Sequence, residues 1–302
     1  MILVSGGCGV MGARVVQGLL RTGHPVRALV LTGDPLISRL DNVDCEIWEG
    51  DITRPDTLQG AFADVDTVYH LAAVILSRDP TIFARINCGG TQNMVDAARA
   101  AMTQHFIYVS SASVTYRTTT PYSESKLAAE NIVRAQTQMR TTIVRPTLTY
   151  DDDGGEEILL FWNYLKRFPV VPFIGNGRAL KRPVWVEDIV KALVAIANNP
   201  ITYDKIYNLS GPEAMPIAEM ARAMLECRGG PRPFVHLPEA VCYALAQSMT
   251  KLMKNPPLTY NAVAGVTQDA DLDCELARRE LGYDPIPFRE GLAKCFPQVA
   301  RS

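Results

Sequence analysis

A tyrosine and a lysine four residues apart, Tyr122 and Lys126, follow the serine-rich run Ser110-Ser111-Ala112-Ser113. Positions four apart on a helix share one face. A free phenol has a pKa of about 10 and exchanges protons poorly at neutral pH. A neighbouring ammonium favours the phenolate, as does the positive charge of an oxidised nicotinamide. Bringing the phenol to neutrality requires about 4 kcal/mol of such help. A serine hydroxyl at a strand end can hold the reacting oxygen against the tyrosine. This set suits an alcohol–ketone interconversion in which the side chains manage the proton and a cofactor carries the hydride. A lone tyrosine-lysine pair also occurs on ordinary helix surfaces, so its setting in the chain matters.

That setting begins at the N-terminus. Met1-Ile2-Leu3-Val4-Ser5 reads as a buried strand, and Gly6-x-x-Gly9-x-x-Gly12 runs from it into a helix marked by Val15, Val16, Leu19 and Leu20. Gly6 permits the turn, Gly9 lets a diphosphate approach the backbone, and Gly12 allows close helix–strand packing. The helix N-terminus then favours the negative charge. The strand–turn–helix context predicts a dinucleotide site rather than a bare structural turn.

The elements that must position these groups alternate. Strands are expected at Val26–Leu31, Cys45–Gly50, Thr67–Leu71, Phe106–Ser110 and Thr142–Arg145, with helices near 10–22, 55–62, 81–102 and 122–138. Such alternation predicts an α/β, doubly wound parallel Rossmann sheet over residues 1–150. After Pro146 the texture changes. An acidic stretch from Asp151 to Glu157 and recurring Pro and Gly precede a helix near 186–198, a strand at Lys205–Leu209 and a helix at Glu275–Leu281 closed by Gly282. Residues 151–302 are expected to form a smaller, mostly helical substrate lobe interleaved with the first. The apolar segment Ala240–Met253 reads as a lid or core helix before a membrane contact. The acidic stretch reads as solvated, without the spacing of a cation loop.

The 302 residues are 47% hydrophobic with a net charge of −2 and a pI of 6.1, which bounds the remaining possibilities. No basic run gives a nucleic-acid footprint. Seven scattered cysteines without a CxxC or a His/Cys cluster read as reduced thiols in the cytoplasm, not a disulfide or zinc framework. No secretory signal or membrane span is expected.

Several further motifs occur in a fixed order: Gly50-Asp51, His70-Leu71-Ala72-Ala73, Asn87-x-x-Gly90-Thr91-x-Asn93, Tyr108-Val109-Ser110-Ser111, Arg145-Pro146, Pro183 to Asp188 and Asn208 to Glu213. With the glycine turn and the Tyr122/Lys126 pair, the chain resembles the extended short-chain dehydrogenase/reductase superfamily over nearly its whole length, and specifically its epimerase/dehydratase members. The resemblance implies NAD or NADP as cofactor, with Ser111, Tyr122 and Lys126 as the catalytic serine, tyrosine and lysine. Asp51 would contact the adenine and Ile52 would add backbone contacts. Leu71, Ala72 and Ala73 would line the channel near ribose and diphosphate, beside Val10 and Met11 of the glycine loop. Lys126 would also bond the nicotinamide ribose, with Tyr122 and Pro146 close by. Asn87 belongs to the cofactor side on this view, or else serves as a buried amide. A homodimer through the Tyr122-bearing helix is common in the family.

The departures matter for substrate. Eleven positions separate Ser111 from Tyr122, a trimmed substrate-facing loop, and Leu148 stands where sugar-nucleotide enzymes often carry an asparagine. The cation that grips the sugar nucleotide's diphosphate would be Lys181, or Arg182 if the alignment slips by one. These changes, with Pro183–Asp188, look like the atypical branch related to a complex I accessory subunit, although that branch often lacks the Tyr-Lys pair. At the end of the second strand neither a carboxylate nor an arginine appears. Asp34, three residues on, can reach the cofactor ribose or simply form a turn before Pro35; Arg14 or Arg39 could meet a phosphate. The preference is for NAD. The expected activity is that of a sugar or nucleotide-sugar epimerase, dehydratase or ketoreductase. A reductase of a hydrophobic ketone and a non-catalytic dinucleotide sensor or assembly protein are the alternatives.

Overall fold

The computed structural model describes residues 1–77, 79–151, 156–228, 230–253, 256 and 258–296. Most of the acidic stretch, residues 152–155, lies outside the described residues.

Seven strands form one parallel sheet: β1 (Ile2–Ser5), β2 (Val26–Val30), β3 (Glu46–Glu49), β4 (Thr67–His70), β5 (His105–Val109), β6 (Arg140–Pro146) and β7 (Lys205–Leu209). Their spatial order is β3-β2-β1-β4-β5-β6-β7, and every neighbouring pair is parallel. The central strands β1, β2, β4 and β5 are buried at every residue, as a sheet covered on both faces requires.

One face is covered by α1 (Val10–Arg21) and by two helices from far along the chain. Gly18 of α1 lets it settle on Val190 and Val194; a Cβ there would sit 2.7 Å from the Val194 methyl. The other face carries α2 (Gly90–Ala100) and α3 (Pro121–Arg134), packed through Met94, Val95, Ala98, Ala129 and Val133. Pro80–Phe83 and a π-helical turn at Ala84–Gly89 lead into α2 without a break. Of the helices expected before residue 150, the one near 55–62 is only a 3₁₀ turn, Pro55–Leu58. Pro55 starts it, and Gly60, at φ +82° and against the Trp48 ring, cannot continue it.

Beyond residue 151 the chain leaves the sheet and returns. Helix α4 (Glu156–Arg167) belongs to the lobe, whereas α5 (Val186–Ile196) and β7 rejoin the sheet. Next come α6 (Ile217–Arg228), α7 (Glu239–Leu252) and α8 (Tyr260–Thr267) in the lobe, α9 (Glu275–Leu281) back on the sheet and α10 (Phe288–Cys295) in the lobe. Gly282 closes α9 in the left-handed conformation. The lobe core holds Tyr150, Trp162, Phe173, Met224 and Phe288. Segment Ala240–Met253 is α7; its Cys242 and Ala246 pack on Val263 while Leu245 stays exposed. Among the described residues no helix is long and apolar enough to cross a membrane, and no group of His, Cys, Asp and Glu could hold a metal ion.

Candidate functional site

Strand order reverses direction between β1 and β4, the crevice where open α/β sheets bind ligands. The glycine loop leaves β1 at this point. Gly6 has φ +69°, and a Cβ on it would meet the Ala72 backbone at 3.0 Å. A Cβ on Gly12 would overlap the Gly6 carbonyl oxygen. Gly9 is the N-cap of α1; no side chain caps that terminus and no acidic residue occupies its first turn. Val10 and Met11 therefore open a helix end whose polarity suits an anion, so the loop fits a dinucleotide diphosphate.

Asp34 takes part in the turn after β2, accepting from the Leu36 amide at 2.9 Å as the cap of a 3₁₀ turn. It also bonds the Cys8 side chain of the glycine loop. The Cys8 thiol is pushed up to about 11 by burial and then by this carboxylate. Asp34 is thus a turn residue whose carboxylate also stands beside the glycine loop. Arg14 is paired with Glu187 at 2.9 Å and with the Val10 carbonyl. Asp51 turns one oxygen into its own loop, accepting from the Thr53 amide and hydroxyl at 2.8 Å. Ile52 packs on Gly90, and its carbonyl accepts from Asn93.

A hydrogen-bond chain joins the strand ends. Thr91 gives its one hydroxyl proton to the Asn87 carbonyl (2.6 Å) and so must accept from His70 Nε2 (2.9 Å). His70 Nδ1 is then bare and accepts from the Ser5 hydroxyl (2.6 Å), whose oxygen accepts from the Ala72 amide. Burial drives His70 down to about 3, with the Lys126 charge as the lesser cause. It is a satisfied core histidine. The Asn87 amide is fully engaged too: Oδ1 accepts from the Val74 amide, while Nδ2 donates to the Val74 carbonyl and to Ser125 Oγ. This places Asn87 as a clamp between the loop after β4, with Leu71, Ala72 and Ala73, and helix α3.

Helix α3 starts with a capping box, in which Thr120 and Ser123 bond each other's backbone, and with Pro121 at its first position. Tyr122 lies in this first turn with its ring edge-on to Phe83. One turn later Lys126 is 2% exposed; Nζ donates to the Val109 carbonyl at 2.7 Å and lies 4.3 Å from the Tyr108 ring centre. Burial pulls the ammonium down to about 7, opposed by the Glu130 charge. Ser111, two residues beyond β5, caps the turn Ala112–Thr115, on which α3 packs; its oxygen accepts from the Ser113 amide at 3.2 Å. Strand β6 ends at Pro146, in register with Leu209. The elements thus bring the glycine loop, the ends of β4 to β6 and the first turns of α3 to one edge of the sheet. Sequence reasoning passed over Glu130, although its place four residues beyond Lys126 was the available signal.

The cations expected near a substrate diphosphate are committed elsewhere. Lys181 is buried and donates to the Gly265 and Gln268 carbonyls at 2.7 and 2.5 Å, closing the end of α8. Arg182 is bonded to Asp271 and the Pro212 carbonyl. Leu148 packs on the lobe core. Gln268 also bridges to the loop before α3, accepting from the Thr118 amide at 3.0 Å and donating to its carbonyl.

Residues 2–210 match the family model described as the NAD dependent epimerase/dehydratase family. The chain belongs to that family. It is accordingly an NAD-dependent enzyme of the extended short-chain dehydrogenase/reductase type, acting on alcohols or ketones. Relatives include a 3 beta-hydroxysteroid dehydrogenase/Delta 5-->4-isomerase of Mycobacterium tuberculosis, 28% identical with 98% of this chain and 89% of that protein covered. A 2-alkyl-3-oxoalkanoate reductase of Stenotrophomonas maltophilia is 26% identical, with 97% of each covered. Among solved structures, a dTDP-glucose 4,6-dehydratase from Streptomyces venezuelae shares the fold, with TM-score 0.76 and 20% identity over 98% of this chain and 95% of that one.

Proposed function

We propose that this chain interconverts a secondary alcohol and a ketone on a lipophilic, non-nucleotide substrate. The observation that carries this choice is the engagement of Lys181 and Arg182 inside the lobe: neither cation is available to a sugar-nucleotide diphosphate without breaking its present bonds. Leu148 in the lobe core and the exposed Ile75 and Leu76 after β4 support the same substrate class. So do the steroid and alkyl-oxoalkanoate named for the two relatives.

NAD, when bound, would supply the hydride acceptor for the carbinol carbon. The Tyr122 phenolate takes the hydroxyl proton, leaving the ketone, and gives it back in the reverse direction. Ser111 donates to the substrate oxygen and fixes its position. Lys126, as an ammonium, stabilises the phenolate and would bond the nicotinamide ribose. Gly6, Gly9, Val10, Met11 and Gly12 would hold the diphosphate, Asp34 the adenosine ribose, and Asp51 and Ile52 the adenine. Ala72, Ala73 and Pro146 form the walls.

The test is NADH formation from a sterol and from a long-chain 3-hydroxy acid, beside UDP-glucose and dTDP-glucose. Turnover of a lipophilic alcohol, abolished in Tyr122→Phe, is expected. Turnover of the nucleotide sugars alone overturns the substrate reading, and undiminished turnover in Tyr122→Phe overturns the role of the phenol.

A further inference from the structure

Glu130 is fully buried, with 0% of its surface exposed, and it lies on the stripe of α3 that already carries Tyr122 and Lys126. Its Oε2 accepts from the Ser110 hydroxyl at 3.0 Å and from Arg145 Nε at 3.0 Å, and its Oε1 pairs with Arg145 Nη2. One turn earlier Lys126 is bonded to the Val109 carbonyl. Successive turns of one helix therefore grip successive residues at the end of β5, and the next residue is Ser111. We propose that Glu130 is a positioning residue of this site, fixing α3 on the ends of β5 and β6 and holding Lys126 in its charged form. The proposal rests on the roles given above to Tyr122 and Lys126.

The groups facing Lys126 show why its charge depends on Glu130. Tyr122 and Glu130 come from α3, Tyr108 from β5, His70 from β4, Arg145 from β6, and Cys88 lies beside Tyr108 on the π-helical turn. Burial keeps Tyr108 protonated far above neutral pH and keeps His70 neutral. Arg145 is positive. Glu130 is the one carboxylate in this set, and it raises the Lys126 ammonium against the burial that lowers it. A buried acid bound to an arginine contributes little net stability that an apolar pair would not match. Its service here is to the neighbouring lysine.

The experiment is a pH titration of protein carrying lysine labelled with carbon-13 at Cε, with the Lys126 resonance assigned from Lys126→Met. In Glu130→Gln, which keeps the shape and an acceptor for Ser110, the Lys126 midpoint is expected to fall by about one pH unit or more. The acid limb of alcohol oxidation should move to higher pH with it, since the phenolate loses its charged partner. Ser110→Ala removes a bond but no charge and should leave the midpoint in place. An unchanged midpoint in folded Glu130→Gln overturns the proposal. Should that variant not fold, replacing the pair together, Glu130→Leu with Arg145→Leu, removes the carboxylate without leaving its partner charge buried. Its Lys126 midpoint must fall, and a rise or no change overturns the proposal. The titration decides Glu130 whatever the turnover, whereas Tyr122→Phe decides the redox reading separately.

Discussion

Two lysines are almost equally hidden, one at the edge of the sheet and one in the lobe, and they keep different company. Lys126 is 2% exposed and Lys181 is 4% exposed, and each donates to main-chain carbonyls. Around Lys126 stand a phenol ring, a carboxylate, an arginine and a neutral histidine. Two bonds of Lys181 go to carbonyls at the end of α8. Burial of a charge is therefore no signature of catalysis. What marks Lys126 is that its neighbours include groups that can themselves change protonation, because only then does a lysine's charge couple to a proton in transit.

The sharpest way to break this comparison is to exchange each lysine for methionine. Lys126→Met should lower kcat about 10²–10⁴-fold, the range of a lost acid–base partner. Its urea midpoint should fall by less than that of the lobe lysine, since one carbonyl rather than two loses its donor. Lys181→Met should do the reverse. Activity per folded molecule changes little, while stability falls by about 1–3 kcal/mol because the carbonyls at the end of α8 lose their donor. Equal losses of activity in both variants would erase the distinction.

Cofactor binding gives the next largest effect. Gly12→Ala forces a methyl onto the Gly6 carbonyl, where backbone rather than a flexible side chain must yield. Overpacking of this kind costs about 1–3 kcal/mol. NADH titration by fluorescence should show a loss of affinity of at least tenfold, whereas Gly265→Ala in the lobe, with open space beside it, should leave affinity unchanged.

Chain order made much of this legible. The glycine turn, the seven strands of the sheet and the Tyr122/Lys126 pair depend on local spacing, and local spacing survives folding. The parts that escaped depend on distant partners. Lys181 looks like a ligand cation until Gly265 and Gln268, more than eighty residues on, arrive at its Nζ. Asn87 could serve the cofactor or the core, and the bond to Ser125 from another helix shows how its amide is used. Glu130 looked like any helical acid until Arg145 came from β6. The missing helix near 55–62 is a different failure. Its apolar spacing is real, through Leu58, Ala61 and Phe62, but Pro55 and Gly60 leave room for one 3₁₀ turn.

Acid sharpens the contrast between groups held neutral and groups held charged. Burial lowers His70 to about 3 and His105 to about 4, against an unfolded value near 6.5. Below pH 6.5 the unfolded chain binds protons that these two folded rings refuse, so stability declines as pH falls from 6.5 toward 4. The slope is about 1.4 kcal/mol per pH unit for each ring. Denaturant curves across this range should show that decline, and His105→Gln should remove about half of it. A flat profile in the native protein would mean that these rings are charged in the fold.

The smallest effect is expected where the two regions meet. Gln268 accepts Lys181 on its carbonyl and, through its side chain, clasps Thr118 in the loop that leads into Tyr122. Its two side-chain bonds are partly exposed, so Gln268→Ala should cost about 0.5–1.5 kcal/mol. The Lys181 bond is to the main chain and survives the substitution. Only the tie to the loop is cut, so the change should appear in KM for the alcohol more than in kcat. An effect confined to kcat would instead place the loop's influence on Tyr122 itself, and the lobe would then take part in the chemistry from which its lysine is kept apart.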